Sequence, residues 1–404
     1  MKIFFKPITL LLNNLKYGRK FTLIGIIILL PFTIALYLLV SELNTGIEFA
    51  QKERIGVTYN MLLVDILKEM QKHRGATNAL LSSEISFKEK QLSLQEHIDH
   101  NIKTIDSVDQ KYGTILKTTE RWHAIKGKWG ILKSIVQNLS IQESFDAHTA
   151  LIAEILSLIS HVGETSNLKF DPHLDSYYLM DAVVFKLPIL SEHLGQTRAI
   201  GSGIAVKKTI TNDERARLVM LYGLIKFSAD ANSRGLDAAF RKNLELKSKL
   251  EKDVKDSANA INEFLKILNK EFIKAGGIEV NAKNYFQLAT NTIETVFKTY
   301  DEASPKLDKL LEARIDKLSK KRNIAWAVAI TAMLSVTYLF MAFFISIVPP
   351  LRELTGSAQK IASGDLKVNI DVNSKDEIGD LASAFNKMTV SLKGRENRGS
   401  NLYS

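Results

Sequence analysis

The chain has 404 residues, of which 46% are hydrophobic and 24% are charged. This balance predicts a folded protein with a large core and excludes a disordered chain. The sequence contains no cysteine, which excludes disulfides, thiol catalysis and cysteine-ligated metals. The formal charge is +10, but basic residues cluster beside apolar segments, as membrane-flanking charges do. We therefore expect a membrane partner and no nucleic-acid partner.

The first apolar segment, residues 21–40, contains twenty residues without a charge. About 20 apolar residues cross the hydrocarbon core as a helix. Five basic residues precede this segment, and no acidic residue does. Because basic residues stay on the cytoplasmic side, the N-terminus is predicted to be cytoplasmic. The apolar run is longer than that of a signal peptide, and LVSELNTG offers no A-x-A-like cleavage site, so an uncleaved anchor is predicted.

The region 41–323 shows helical periodicity throughout, without sustained two-residue alternation or hairpin-type turns. Thr211 and Glu214 have capping-box spacing, and Asp171 followed by Pro172 predicts an N-cap and first helical position. After a helix from the membrane to about residue 81, helices are predicted over about 87–112, 114–138, 143–168, 172–206, 213–240, 243–274 and from about 281 into a second span. The fold class is all-α, with two stacked four-helix bundles outside the membrane.

Arg74 lies on the apolar face of the first outer helix, and a buried arginine needs a partner. The densest polar cluster on an otherwise apolar helix is DPHLDSYYLMD. One interpretation is a ligand pocket in which Arg74 holds an anion bidentately, lined by Asp175, Tyr178 and Asp181. The other is an internal salt bridge from Arg74 to Asp175 or Asp181 that fixes helix register. Both interpretations stay open.

The sequence offers no catalytic or metal-binding pattern. His97 and His100 have a spacing at which two histidines can share a metal, but no third ligand is evident. We expect them to be surface histidines. No catalytic residue, metal or cofactor is predicted, and the chain is not expected to be an enzyme.

A second uncharged segment, residues 324–348, runs into a pair of apolar seams. Apolar residues repeat at 3-4-3 spacing from Leu351 to Ile361 and at 3-4-3-4 spacing from Ile378 to Leu392, which suits coiled-coil packing. The intervening GDLKVNIDVNSKDE is too polar and glycine-broken to be helical throughout. Gly364 is placed as a helix C-cap, and Ser374 with Glu377 as a capping box.

Residues 349–392 resemble a HAMP domain, with proline at the start of the first helix, GDL at its end and DEIG at the start of the second. A plain cytoplasmic helical hairpin is the alternative. The resemblance implies a parallel four-helix bundle made by two subunits, and hence a homodimer. It also implies a role in signal relay for Pro350, Leu354, Gly364, Leu366, Ile370, Glu377, Ile378 and Phe385.

The outer region also carries a resemblance. MQKHRGATNALL and the later SNLKFDPHLDSYYLMDAVVFKLP are similar to helical extracytoplasmic regions of bacterial chemoreceptors and sensor kinases. The first segment looks like the Q-x-x-RG helix of nitrate/nitrite-type sensing domains. The resemblance implies a sensor of a small extracytoplasmic ligand, for which Arg74 suits an anion.

The predicted location is the bacterial inner membrane, with two spans and both termini in the cytoplasm. A basic cluster from Arg314 to Arg322, on the side predicted to be outside, opposes this topology by charge counting. The predicted domains are a cytoplasmic tail (1–20), a first transmembrane helix (21–40), an extracytoplasmic helical sensor (41–323), a second transmembrane helix (324–348), a HAMP domain (349–393) and a C-terminal tail (394–404).

We therefore expect a transmembrane receptor of the chemotaxis type that relays an outer stimulus to downstream signalling proteins. No kinase, cyclase or methylation-helix segment is recognisable after residue 392, so the output module is expected to be absent from this chain. One alternative is the sensor part of a histidine kinase or nucleotide cyclase that lacks its catalytic module. Another is a stand-alone membrane regulator that pairs with full-length receptors.

Overall fold

The computed structural model describes the backbone of residues 4–82 and 84–400, and the side chains within these ranges up to residue 395. Helices and their connections account for all of the described chain, with no strand within it, and the predicted all-α fold is confirmed. The α-helices are α1 (Lys6–Asn13), α2 (Tyr17–Leu81), α3 (Lys88–Leu116), α4 (Thr119–Ile135), α5 (Ile141–Thr165), α6 (Leu174–Met180), α7 (Leu187–Lys207), α8 (Asn212–Lys242), α9 (Leu244–Leu268), α10 (Ala282–Ala362) and α11 (Glu377–Ser400). Two π-helical turns, Asp181–Lys186 and Asn269–Ile273, follow α6 and α9.

Residues 45–318 form one compact unit, which contains the helices of the predicted sensor. Helices α3, α4 and α5 pack together in one set, and α6, α7 and α9 each pack on α8 in a second. Side-chain contacts join α2 to α3, α5 and α7, and α10 to α7 and α9. One continuous core joins the sets, and its largest fully buried side chains include Trp122, Tyr285 and Phe264. Each such side chain contributes about 1.5–3 kcal/mol relative to its exposed state. Ion pairs also join α2 to α10, such as Arg54 to Asp308 at 2.7 Å.

The helix starts in this unit depend on side-chain caps. The predicted capping box is confirmed, because the Glu214 N–H donates to Thr211 Oγ1 at 3.2 Å. Ser140 and Glu143 form a second box that was not predicted. The predicted helix start at Asp171 is wrong, since α6 begins at Leu174. Asp171 is extended, and its carboxylate accepts a hydrogen bond from the His173 N–H at 2.9 Å, which holds a turn before the helix.

A second compact unit comprises residues 1–44 and 319–404. Within it, the Phe21 ring makes edge contacts with the rings of Phe340, Phe343 and Phe344 at 5.5–5.8 Å between ring centres. By length and composition, three described helices could cross a membrane: α2, α5 and α10. The apolar window of α5 is 44% buried, whereas those of α2 and α10 are 0% and 6% buried. Helix α5 is therefore a sensor-core helix, and the other two present apolar side chains outward, as lipid contact requires.

The C-terminal part of this unit has a small core of its own. Leu354, Ile370 and Ala382 are buried in it. Gly364 has a φ of +94° just after α10 ends, the left-handed conformation that favours glycine at a helix C-terminus. The predicted capping box at Ser374 is wrong. Asp376 caps α11 instead, because its Oδ1 accepts hydrogen bonds from the backbone N–H groups two and three residues later, at 3.0 and 3.3 Å.

Candidate ligand-binding site and relay

Arg74 is buried in the sensor core, as its place on an apolar face predicted, with a relative exposure of 1%. Its Nη1 and Nη2 donate to the two carboxylate oxygens of Glu192 at 2.6 and 3.1 Å, and Nη1 also donates to Thr149 Oγ1 at 2.9 Å. Glu192 accepts two further hydrogen bonds, from the side-chain amides of Gln71 and Gln196 at 3.1 and 2.9 Å. The carboxylate is therefore fully engaged, which a buried charge requires.

Arg74 forms an internal salt bridge, but its partner is Glu192 rather than the predicted Asp175 or Asp181. Asp175 instead accepts a hydrogen bond from Asn243 Nδ2 at 3.0 Å. Asp181 begins the π-helical turn after α6, where burial raises the pKa of its carboxyl group against the smaller, opposing effect of Lys186. The Tyr178 ring packs on Gly235, whose missing side chain leaves room for it. None of the three has a hydrogen bond or ion pair to Arg74 among the described side chains.

A second arginine, Arg198, lies close to the first and was not predicted. It is 7% exposed, and its Nη1 donates to Thr290 Oγ1 at 3.0 Å while its Nε has no hydrogen-bond partner. The pKa of its guanidinium group is lowered to about 10, first by burial and then by the positive charge of Arg74. The negative charges of the buried Glu192 and the exposed Glu294 act in the opposite direction. The pair of arginines therefore has more positive charge than its surroundings compensate.

Glycines and aromatic rings make room for the two guanidinium groups. A Cβ atom on Gly195 would lie 2.9 Å from Nη2 of Arg74, so only glycine permits this approach. A Cβ on Gly75 would lie 3.5 Å from Nη2 of Arg198, an ordinary contact. The guanidinium carbons lie over aromatic faces, Arg74 at 5.2 Å from the Phe145 ring centre and Arg198 at 5.0 Å from that of Phe286. Aromatic faces stabilise cations without neutralising them.

Unpartnered polar atoms concentrate on the two helices that carry these arginines. Among the described residues, twelve buried side-chain polar atoms have no hydrogen-bond partner, and six of them lie on two short stretches of α2 and α7. These six belong to Gln71, Thr77, Asn78, His193, Arg198 and Ser202. Buried polar groups are nearly always satisfied, so a concentration of this kind is typical of a site that a ligand or water completes.

Helix α7 carried a sequence signal for this site that was overlooked. Between Leu187 and Val206 only Glu192 and Arg198 are charged, on a helix that is otherwise apolar, small or uncharged polar. Two opposite charges on a core helix predict buried partners as strongly as Arg74 does on α2. The polar cluster around α6 is denser, and the site was predicted there instead.

Two histidines form a separate buried contact beside Arg74. The ring nitrogens of His73 and His148 are 2.8 Å apart, and the Gln91 amide lies 3.1 Å from the far nitrogen of His73. Burial lowers the pKa of His73 to about 3 and that of His148 to about 4, so both rings are neutral near pH 7. His97 is exposed and lies 3.5 Å from Glu69. Within the described residues, no group of three or more metal-ligating side chains is present.

The predicted relay residues divide between a core and a surface. Leu354 and Ile370 belong to the small C-terminal core, and Ile378 and Phe385 pack against it. Asn386, which was not predicted, fixes the connector by accepting from the Ile370 N–H at 3.0 Å and donating to the Ile370 carbonyl at 2.9 Å. Pro350 lies inside α10, which continues to Ala362; Leu366 lies in the connector, and Glu377 is the first residue of α11.

Family comparisons match two separate regions of the chain. Residues 65–308 match the family described as nitrate and nitrite sensing, and residues 346–394 match the HAMP domain. The first match covers more than half of the chain and contains Arg74, Glu192 and Arg198. The structure of the NasR transcription antiterminator aligns with 90% of this chain and 94% of its own, with a TM-score of 0.52 and 13% sequence identity. That likeness shows a shared fold.

Curated relatives match over shorter stretches. The methyl-accepting chemotaxis protein TlpA of Bacillus subtilis is 44% identical over 71 residues, 18% of this chain and 10% of the relative. McpA of the same organism is 40% identical over 67 residues, 16% of this chain and 10% of the relative. The sensor protein SrrB of Staphylococcus aureus is 35% identical over 81 residues, 20% of this chain and 14% of the relative. The matched region thus spans 10–14% of these relatives. From its sensor match, its HAMP match and its apolar helices, the chain belongs to the nitrate and nitrite sensing family and is a HAMP-containing transmembrane sensor.

Proposed function

We propose that the sensor domain binds a small oxyanion of the nitrate or nitrite class between Arg74 and Arg198, and that binding is relayed through α10 to the HAMP domain. The observation that carries this proposal is charge balance: two buried guanidinium groups share one buried carboxylate, Glu192, while Glu294 is exposed to solvent. A buried charge without a partner is costly, so an anion that enters this site compensates it.

The chemistry of the site suits a planar oxyanion. A guanidinium group presents parallel N–H donors that match two oxygens of a planar anion. Arg74 is held rigidly by Glu192 and Thr149, while Arg198 has an unpartnered Nε. Arg198 is therefore the main new donor, and Arg74 adds positive potential beside it. The name of the matched family supports nitrate or nitrite as the anion.

For topology, we propose two membrane spans with both termini in the bacterial cytoplasm. The N-terminal basic cluster supports this orientation. The basic cluster before the second span opposes this orientation less strongly than the number of basic residues suggests. Its first member, Arg314, is largely buried in the sensor unit, where it pairs with Glu53 and Asp171 at 3.0 and 2.9 Å.

For assembly, we propose a homodimer in the lipid bilayer, joined through the HAMP helices. Leu381, Met388 and Leu392 on α11 are 44%, 43% and 39% exposed in the single chain. An apolar seam of this kind becomes buried when a second copy completes a four-helix bundle. Phe385→Glu places a charge within this seam and should shift the purified protein from dimer to monomer in light scattering. Monomeric behaviour of the unmodified protein at micromolar concentration is the contrary result.

For output, we propose a receptor of the chemotaxis type without catalytic activity of its own. The methyl-accepting chemotaxis proteins among the relatives support this class. The sensor protein SrrB supports the alternative, a sensor part of a kinase. A cyclase sensor and a stand-alone regulator of full-length receptors remain as further alternatives. The reading frame that follows residue 404 in the encoding genome distinguishes these outputs.

An anion panel tests the binding proposal. Ligand at a hundredfold excess over its Kd stabilises a folded protein by about 2.7 kcal/mol. Nitrate or nitrite should therefore raise the melting temperature of the purified full chain, and chloride or sulfate at equal ionic strength should not. Arg198→Gln should abolish this rise, whereas the control Arg234→Gln, at an exposed position on α8, should retain it. Identical shifts with all four anions would contradict the proposal.

A further inference from the structure

A second buried ionic cluster lies in the sensor unit, near the point where α2 enters this unit at residue 45. Arg314 on α10 donates from Nη1 to Glu53 Oε2 at 3.0 Å and from Nη2 to Asp171 Oδ1 at 2.9 Å. Nη2 also donates to Ser176 Oγ on α6 at 2.6 Å. One guanidinium group thus joins α2, α10, α6 and the turn before α6.

Each carboxyl group in this cluster retains one oxygen without a donor. The side chains of Glu53 and Asp171 both have 0% exposure. Their second oxygens, Oε1 of Glu53 and Oδ2 of Asp171, are buried and have no hydrogen-bond partner. A buried carboxylate oxygen without a donor is costly, so two of them in one cluster need an explanation.

Charge balance limits what can occupy this place. With both carboxyl groups ionised, the cluster of Glu53, Asp171 and Arg314 has a net charge of −1 in a buried position. A divalent cation would add two positive charges beside the guanidinium group that already contacts both carboxylates. A single proton brings the cluster to neutrality and turns one acceptor-only carboxylate into a hydrogen-bond donor.

We propose that Glu53 and Asp171 form a proton-binding site, in which the carboxyl pair holds one proton at neutral pH and releases it to water as the medium becomes alkaline. Two carboxyl groups that share a site rarely both ionise, because each disfavours the charge of the other. The proton is held as a carboxylic acid O–H, and its loss restores a second carboxylate without any other bond change.

The electrostatics of Glu53 support this assignment. Its pKa is raised to about 8, first by burial and then by the negative charge of Asp171, while the positive charge of Arg314 acts in the opposite direction. The other groups that face the pair are the Ser176 hydroxyl on α6 and the His173 imidazole, which lies 3.8 Å from Asp171 on the exposed side.

Proton release acts on a contact between α2 and α10. Below the transition the cluster is neutral, and Arg314 bridges one carboxylate and one carboxylic acid. Above it, two buried carboxylates repel each other across the same guanidinium group. Because α2 and α10 also carry the two exposed apolar segments, this contact is a place where external pH biases the arrangement of signalling helices. This response is separate from the anion site.

Infrared spectroscopy of the full chain in lipid nanodiscs, titrated from pH 5.5 to 10, tests the proposal directly. The unmodified protein should show the carbonyl band of a buried, protonated carboxylic acid, which disappears with a midpoint near pH 8. Glu53→Gln should remove this band. Asp171→Asn should lower the midpoint, since it removes a negative neighbour. Glu48→Gln, at an exposed position on the same helix, should leave both band and midpoint unchanged.

Three results would overturn the proposal. One is the absence of a protonated carboxyl band at pH 6 in the folded, unmodified protein. Another is a band that persists in both Glu53→Gln and Asp171→Asn. The third is a carboxylate signal at every pH that shifts when calcium or magnesium is added, since it would assign the cluster to a metal.

Discussion

The two buried ionic clusters of the sensor unit are built from the same groups in opposite proportions. The first joins Arg74 and Arg198 to one buried carboxylate, Glu192, and the second joins Arg314 to two buried carboxylates. Each therefore has one uncompensated charge in a buried position, positive in the first and negative in the second. The ratio of buried charges, rather than their presence, therefore indicates what a site takes up: an anion in one case and a proton in the other.

Both clusters use α2, at positions 53 and 74. At about 1.5 Å per residue, these positions are separated by roughly 30 Å along the helix. Helix α10 contributes to both as well, through Arg314 in the second cluster and through Thr290, which binds Arg198, in the first. One pair of helices thus connects the anion site with the proton site, so occupancy of either site can bias the same helix packing.

The largest expected effect is at the salt bridge of the first cluster. Arg74→Ala leaves Glu192 buried with only neutral hydrogen-bond donors, and breaking a buried pair in this way costs about 3–5 kcal/mol. We expect a correspondingly large fall in the free energy of unfolding, measured by chemical denaturation of the detergent-solubilised chain.

The double variant Arg74→Ala with Glu192→Gln serves as its control. Because the glutamine is neutral, the double variant should recover part of the loss. If Arg74→Ala alone is as stable as the unmodified chain, Glu192 does not depend on Arg74, and the charge balance assigned to the first cluster is wrong.

The second prediction is the pH dependence of the second cluster. The pKa of Glu53 is raised to about 8 in the folded chain, above its value of about 4.3 in an unfolded one. The folded state therefore holds a proton that the unfolded state lacks between these pH values, and the resulting stability is lost as pH rises through the folded pKa. Relative to Glu53→Gln, the unmodified chain should lose about 1.4 kcal/mol per pH unit between about pH 5 and 8, then level off. A difference that does not change with pH between 5 and 9 is the contrary outcome.

The third prediction separates the two arginines of the first cluster. Arg198→Gln removes the uncompensated charge but can still donate to Thr290, so its unfolding free energy without ligand should stay within about 1 kcal/mol of the unmodified chain or rise. Denaturation of Arg198→Gln and Arg74→Gln in parallel, in buffer without nitrate, measures the contrast. Equal destabilisation of both variants would mean that the two arginines have the same structural role.

The smallest expected effect is at the cap of α8, and it serves as a reference for the effects of the arginine variants. Thr211→Ala removes the cap of α8 and should cost about 1 kcal/mol, because one helix-end N–H loses its acceptor. The loss should not depend on nitrate, and denaturation curves with and without the anion measure it. A nitrate-dependent loss in this variant would show that the effects assigned to the arginines spread through the whole unit.

The sequence predicted the helices better than their partners. Helical periodicity located nearly every helix, and the box at Thr211 was confirmed, because both depend on residues close in the chain. Arg74 was predicted to be buried for the same reason. Its partner Glu192 was missed, since the pairing depends on how α2 and α7 align, and local spacing does not determine this alignment.

The second cluster shows the same limit. Asp171 beside Pro172 has the pattern of a helix cap, and Arg314 has that of a membrane-flanking charge. Only the packing of α10 against α2 and the turn before α6 brings them together at 2.9 Å. Long-range ion pairs in helical bundles are therefore expected from charged residues on apolar faces, but their partners follow from tertiary structure.

Isothermal titration calorimetry of nitrate into the full chain in nanodiscs measures directly whether Arg74 and Arg198 form an anion site. We predict saturable binding at one site per chain, with nitrite competing, and loss of that binding in Arg198→Gln but not in the exposed control Arg234→Gln. Binding of equal strength in Arg198→Gln, or no saturable heat with either anion in the unmodified chain, would contradict the claim that the excess positive charge of Arg74 and Arg198 forms the ligand site.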